Sequence, residues 1–238
     1  RARMSESGQG LREKWDRRHA EAEDLGRVAA VLEQNGHLLP AGGDALDLAC
    51  GRGASSLWLA ARGLQVSAWD LSPVAIEQAR SRAAELGLDV TFESVDLLTW
   101  DPSGREWDLV ILAYIHLPAD MRQTVHAAAQ RAIAPGGTIV VLAHHLDNLG
   151  TGTSGPRNPD WLFTEEQLAA DFSDLEIIRN ERVVRRSVHG DALDVVAPPC
   201  GANAAEKVGE ILDDLEARGV APLPHRQPRL VGSGRHRR

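Results

Sequence analysis

The sequence predicts an α/β fold of the doubly wound kind, a mostly parallel sheet sandwiched between two helical layers. Three observations carry this. Five short runs, 45–49, 65–69, 90–94, 109–113 and 138–143, are almost continuously apolar, which is how strands buried on both faces read. Helical patterns separate the runs, so consecutive strands should connect by right-handed crossovers. The first run also leads through Asp47 into Cys50-Gly51-Arg52-Gly53, a glycine-bearing strand-to-helix loop of the type that lets a nucleotide cofactor approach the backbone.

Taken in order, residues 1–10 are polar and expected to be disordered, with Met4 marking residues 1–3 as an overhang. They lack the apolar core of a signal peptide, so export is not expected. The helix after the second strand is bounded by three local signals: Ser72 as cap, Pro73 at the first helical position and Gly87 at the C-terminal turn. A further helix is expected from 120 to 134, stopped by the turn Pro135-Gly136-Gly137 ahead of the fifth strand, and Thr164 with Gln167 has capping-box spacing. Beyond the fifth strand lie a glycine-rich loop (150–160) and two strand-like runs, 176–188 and 192–197, joined by a turn at His189-Gly190-Asp191. Residues 199–238 are expected to be an appended, largely disordered tail, although 204–217 has helical spacing; its last stretch is rich in arginine, proline and glycine.

Three acids close three successive strands. Asp47 sits beside the glycine loop, placed to meet a cationic group. Asp70 follows 23 residues later, where a carboxylate of a βαβ unit accepts both hydroxyls of a ribose. Asp96 ends the third strand, where a side chain or backbone amide reaches an adenine edge.

The series Asp47…Gly51-Arg52-Gly53, Asp70-Leu71-Ser72-Pro73, Asp96 and Pro135-Gly136-Gly137 resembles the class I S-adenosylmethionine-dependent methyltransferases. The resemblance covers about residues 10–198. It is narrower toward a small-molecule branch related to tellurite-resistance and thiopurine methyltransferases, through Trp15-Asp16-x-Arg18 and Leu162-Phe163-Thr164-x-Glu166-x-Leu168. It implies a Rossmann-like methyltransferase fold over residues 11–198, with a seven-stranded sheet that carries an antiparallel edge hairpin. It also implies S-adenosyl-L-methionine as cofactor, held by Asp47, Ala49, Cys50, Gly51, Gly53, Asp70, Leu71, Asp96, Leu97 and Ala113, with Trp15 and Arg18 closing over it. One departure stands out: Ala49 occupies the position of the family's first loop glycine, and a slightly tighter turn is expected there.

Composition bounds the partners. Hydrophobic residues make up 43% and charged residues 25% of 238, and no apolar run approaches the length of a membrane span. Two cysteines are too few for a disulfide framework and fit a reducing cytosol. A net charge of −8 argues against a dedicated nucleic-acid binder, since phosphate contacts need a cationic surface. The expected partner is a small methyl acceptor, with the oligomeric state, monomer or homodimer, left open.

Methyl transfer from a sulfonium needs alignment more than acid–base or metal chemistry, and no metal site is expected; His144 and His145, adjacent on a strand, point to opposite faces. Acceptors enter outside the carboxyl ends of the strands, which singles out Tyr114 and His116 after the fourth and His144 after the fifth. A hydroxyl and imidazoles there could orient a nucleophile or take its proton. Each also has a reading as a satisfied structural group. A dinucleotide oxidoreductase would show a third loop glycine, and Ser56 stands where it would be. Methyltransferases acting on base amines carry an Asn/Asp-Pro-Pro-aromatic run, where Ala113-Tyr114-Ile115-His116 is found instead. A non-catalytic module of the same fold remains an alternative. The acceptor could be a thiol, a chalcogen oxyanion, or a metabolite's hydroxyl or amine.

Overall fold

The computed structural model describes residues 8–22, 26–149, 155–187 and 190–197. Five parallel strands form its centre in the order β3-β2-β1-β4-β5: β1 (Asp44–Leu48), β2 (Gln65–Asp70), β3 (Val90–Ser94), β4 (Trp107–Ala113) and β5 (Ile133–His144). Register runs Asp47 beside Ala68 on one side and Ile111 on the other, so β1 is central and its residues Ala45, Leu46 and Leu48 are fully buried. Beyond β5, β7 (Gly190–Ala197) pairs antiparallel through Val141↔Ala197, and β6 (Glu181–Ser187) pairs antiparallel with β7.

Helices cover both faces: α3 (Ala54–Ala61) and α4 (Pro73–Leu86) pack on β1–β3, and α5 (Ala119–Ala132) packs on β4 and β5. Two apolar clusters fill the layers. One gathers Leu32, Leu57, Leu59, Ile76, Phe92, Leu109 and Ile111; the other gathers Leu46, Trp107, Val110, Val125, Ile139 and Phe163. The local signals for α4 act as expected: Ser72 Oγ accepts from Ala75 N at 3.2 Å, and Gly87 takes φ +64° to close the C-terminus. The capping box of α6 (Glu165–Asp171) is also made, with Thr164 and Gln167 bonded reciprocally at 3.0 and 3.3 Å.

Four expectations are corrected. The N-terminal helix α1 (Gly8–Glu21) starts inside the stretch expected to be disordered, because residues 11–19 find an apolar cavity to cover. Pro135-Gly136-Gly137 is not a turn ahead of the fifth strand; it lies within β5, where the pairing with β4 jumps from Trp107↔Ile133 to Leu109↔Thr138. A Cβ on Gly137 would come within 2.9 Å of the Ala134 carbonyl, so the chain turns inside its own strand there. Residues 176–180 are not strand, since β6 begins only at Glu181, and Gly190 and Asp191 belong to β7 rather than to a turn. His189, the glycine run 150–154 and the segment 199–238 lie outside the described residues.

Candidate functional site

Every loop that follows a parallel strand opens on the same edge of the sheet, and a cavity of about 550 Å³ lies there. That volume is in the range of ligand pockets, about 300–1,000 Å³. Its floor comes from the ends of β1, β2 and β3: Ala49, Gly51, Asp70, Leu71, Asp96 and Leu97. Its far side comes from the ends of β4 and β5, with Tyr114, Ile115, His116, Leu117 and His144. Its roof is α1, through Leu11, Lys14, Trp15, Arg18 and His19, and the segment Gly155, Pro156 and Trp161.

The floor is a backbone device. Gly51 takes φ +54° and turns its N–H to Asp70 Oδ2 at 2.9 Å, while Ser72 N donates to Asp70 Oδ1 at 2.8 Å. Asp70 is 7% exposed, and burial pushes its carboxyl above the usual range despite these two donors. A carboxylate oxygen has a second lone pair, so both atoms can still accept hydroxyls. Asp96 Oδ1 accepts from Leu98 N at 3.0 Å, an Asx turn that fixes the carboxylate at the cavity edge. Ala49 adopts φ +54°, the left-handed conformation that glycine takes without cost and other residues at about 1–2 kcal/mol. The turn thus keeps a glycine-like dihedral and stores the strain rather than tightening.

The roof is tied to the floor by Asp16. Its carboxylate accepts a short hydrogen bond from Ser72 Oγ and a long one, 3.5 Å, from Val74 N at the start of α4. Gln78 Nε2 donates to the His19 carbonyl at 3.3 Å and Arg52 Nη1 to that of Ala22 at 3.1 Å. Burial lowers the His19 imidazole below its ordinary value against the pull of Asp70.

Across the cavity, Tyr114, His144 and His116 form a row of rings. His116 and His144 stack at 5.1 Å with planes 11° apart, and Tyr114 tilts onto His144 at 5.0 Å. His116 Nδ1 lies 2.8 Å from the Trp161 carbonyl and must donate to it, which leaves Nε2 as the acceptor, facing His144 N at 3.5 Å. Tyr114 holds φ +58°, which is unusual for a bulky residue. His145 points away, as strand alternation requires: Nδ1 accepts from Asp147 N and Nε2 donates to Glu165 Oε2, each at 3.0 Å.

Four residues proposed for the cofactor do not border the cavity. Asp47 is 1% exposed and accepts from Ser56 Oγ at 2.6 Å; burial pushes its carboxyl up to about 7. Cys50 is tucked under the loop, its thiol raised by burial. Gly53 is a packing residue: a Cβ there would sit 3.1 Å from Ala79 Cβ and from the Phe92 ring. Ala113 packs into the core beside β5. Sequence reasoning in turn missed Leu11, Lys14, Trp161 and Asp16. The spacing of 11, 14, 15 and 18 is a helical stripe that could have revealed the roof; Asp16 stood inside the Trp15-Asp16-x-Arg18 motif with no role assigned to it, and Trp161 carried no local signal. A buried cluster away from the cavity was also missed. Asp171 accepts from Arg122 Nε (2.8 Å) and His126 Nδ1 (2.9 Å), which hold its carboxyl low against the opposing effect of burial. It locks α5 to α6.

Residues 45–137 match the family described as a methyltransferase domain. The fold is the Rossmann-like methyltransferase fold. The chain is 37% identical over 117 residues to 2-heptyl-1-hydroxyquinolin-4(1H)-one methyltransferase from Mycobacteroides abscessus, covering 48% of this chain and 52% of that protein. It therefore spans about half the length of the curated relatives it matches. Among solved structures, a protein from work on converting a disulfide into a thioacetal during echinomycin biosynthesis superposes with a TM-score of 0.63 at 25% identity, over 86% of this chain and 99% of that one. N-methyltransferase NodS from Bradyrhizobium japonicum, bound to S-adenosylhomocysteine, gives a TM-score of 0.62 at 18% identity, over 80% and 97%. No helix among the described residues is long and apolar enough to cross a membrane, and those residues hold no group of metal-ligating side chains.

Proposed function

We propose that this chain is a class I S-adenosylmethionine-dependent methyltransferase acting on a small-molecule nucleophile. The observation that carries the reading is the two-sided cavity, whose acids stand on the floor beside the Gly51 turn and whose imidazoles stand opposite. The floor fits the cofactor. Asp70 would take the ribose hydroxyls, Asp96 and Leu97 the adenine, and the turn Ala49–Gly51 the methionine portion, with Trp15 and Arg18 above. The relative that acts on a hydroxyquinolone supports a small acceptor. The seven-stranded sheet with its β6–β7 hairpin, and the narrower likeness to tellurite-resistance and thiopurine enzymes through 15–18 and 162–168, belong to this reading.

When bound beside Asp70, Asp96 and the Ala49–Gly51 turn, the cofactor would supply an electrophilic sulfonium methyl to the acceptor's lone pair and would leave as the neutral thioether. The protein's task is alignment, an effect that can reach about 7–11 kcal/mol. α1 covers the site and limits water. His116 donates its Nδ1–H to the Trp161 carbonyl and its Nε2 faces the His144 N–H, so both ring nitrogens fix its orientation at the cavity wall, with Tyr114 and His144 packed beside it.

Isothermal titration with S-adenosylmethionine, S-adenosylhomocysteine and NAD tests the reading. Binding of both adenosyl ligands and not NAD is the expected result. Binding of neither by folded protein refutes it; binding without release of S-adenosylhomocysteine across thiol, hydroxyl and amine acceptors favours a non-catalytic module.

A further inference from the structure

The acceptor side of the cavity is specific in shape and in charge. Its wall carries a row of rings: His116 stacks on His144 at 5.1 Å, and Tyr114 tilts onto His144 at 5.0 Å with planes 36° apart. Trp161 is held against His116 through its carbonyl at 2.8 Å. Such faces favour another flat ring by about 0.5–1.5 kcal/mol beyond simple burial.

The charge is equally asymmetric. Among the described lining residues the carboxylates are Asp70 and Asp96, both on the floor, and the cations are Arg18, over the Trp15 ring, and Lys14, beside Trp161. Its ammonium sits 5.6 Å from the centroid of the Trp161 ring. It is thus held by a ring face, and among the described residues no carboxylate forms an ion pair with it. Leu117, Ile115 and Leu11 also line the cavity, and their side chains offer no donors to a small, strongly hydrated oxyanion such as tellurite.

We infer that the methyl acceptor is a flat aromatic anion, an aryl oxide or aryl thiolate, whose ring lies against the Tyr114–His144–His116 row and whose negative charge is met by Lys14. This rests on the methyltransferase reading and narrows its acceptor. Ionisation of the acceptor before it binds puts its proton in solvent, so transfer from a cationic sulfonium to an anion leaves neutral products and needs no further co-reactant. An alkylamine, protonated in water, would meet the wrong charge at the mouth.

The test is binding, read without turnover. 4-Nitrophenolate and nitrobenzene, the uncharged ring without its oxide, are titrated into the wild-type chain, Lys14→Gln and Trp161→Leu, each with and without S-adenosylhomocysteine. Nitrophenolate should bind the wild type about threefold to tenfold more tightly than nitrobenzene, as expected for a partly exposed charge-assisted contact. Lys14→Gln should abolish that preference while keeping nitrobenzene binding, and Trp161→Leu should weaken both ligands. S-adenosylhomocysteine affinity should not change in Lys14→Gln. Equal affinity for the two ligands in the wild type, or an undiminished preference in Lys14→Gln, overturns the inference; so does tighter binding of tellurite or an alkyl thiol than of nitrophenolate. Failure of S-adenosylhomocysteine to bind while nitrophenolate still does overturns the methyltransferase reading instead.

Discussion

Gly53 distinguishes a glycine kept for a ligand from a glycine kept for packing. It follows the cofactor-type turn, caps α3 in the left-handed conformation at φ +77°, and has no surface on the cavity. A methyl group added there would lie 3.1 Å from Ala79 Cβ on α4 and 3.1 Å from Cε1 and Cζ of Phe92 on β3, well inside the optimal carbon–carbon separation of about 3.5–4.0 Å. Ala79 is 0% and Phe92 4% exposed, so neither can give way. For Gly53→Ala the left-handed dihedral costs about 1–2 kcal/mol and overpacking about 1–3 kcal/mol. The stiffer unfolded chain returns about 0.4–1 kcal/mol. The net is about 2–4 kcal/mol. At about 2–4 °C per kcal/mol for a domain of this size, the thermal midpoint should fall by roughly 5–15 °C. Gly63 is the control: its φ is +96° and nothing lies within 4 Å of an added Cβ, so Gly63→Ala should show the dihedral cost alone. Calorimetric melting of both variants, with S-adenosylhomocysteine titrated into each well below its midpoint, makes the comparison. A Gly53→Ala protein that melts like wild type but loses cofactor affinity would refute the packing argument and return Gly53 to the site.

Three further outcomes follow from the same geometry. Asp47, buried and raised to about 7, holds its proton more tightly folded than unfolded. Its contribution is therefore complete below about pH 4 and is lost as pH rises toward 7; roughly three pH units at about 1.4 kcal/mol each set an upper bound of about 4 kcal/mol. Asp47→Asn should flatten this part of the stability profile in urea unfolding, and an unchanged slope would mean that Asp47 is ionised at neutral pH. Asp70→Ala should lower both cofactor affinity and stability, because Gly51 N and Ser72 N lose their acceptor at about 1–3 kcal/mol if left unsatisfied. Lost affinity at wild-type stability would show that those amides find water instead. Asp16→Ala should cost about 0.5–1.5 kcal/mol by removing the acceptor of the Ser72 hydroxyl, while Ser72 still caps α4, and should weaken S-adenosylhomocysteine severalfold by loosening α1; unchanged affinity in calorimetry would show that Trp15 and Gln78 suffice to hold the roof.

The parts of the fold legible in the sequence are those decided within a few residues. Ser72, Pro73 and Gly87 mark α4 because capping and proline geometry are local, and the five strands are legible because burial on both faces leaves continuous apolar runs. Asp47 was misplaced for a physical reason. An acid at the end of a central strand can turn toward the ligand edge or back under the following helix, and only the packing of α3, which brings Ser56 within 2.6 Å, decides between them. Pro135-Gly136-Gly137 was read as a stop because those residues usually break elements, yet pairing to β4 on both sides of the irregularity keeps them inside β5.

The same contrast explains why the cofactor side was more readable than the acceptor side. Backbone amides and strand-end acids hold the floor, so its requirements are written as glycines and aspartates at fixed spacings. The acceptor side is assembled from α1, the ends of β4 and β5, and the 155–161 segment, four stretches up to 150 positions apart in a chain of 238. Here Lys14 matters only because Trp161 lies beneath it, and His116 takes its tautomer only because the Trp161 carbonyl lies 2.8 Å away. Pairings of that kind leave no spacing rule behind. Shape and charge at the acceptor wall therefore have to be read from the folded chain, and under the proposed reading Lys14 and Trp161 are the positions whose substitution should change ligand preference at that wall while leaving the Asp70–Gly51 floor intact.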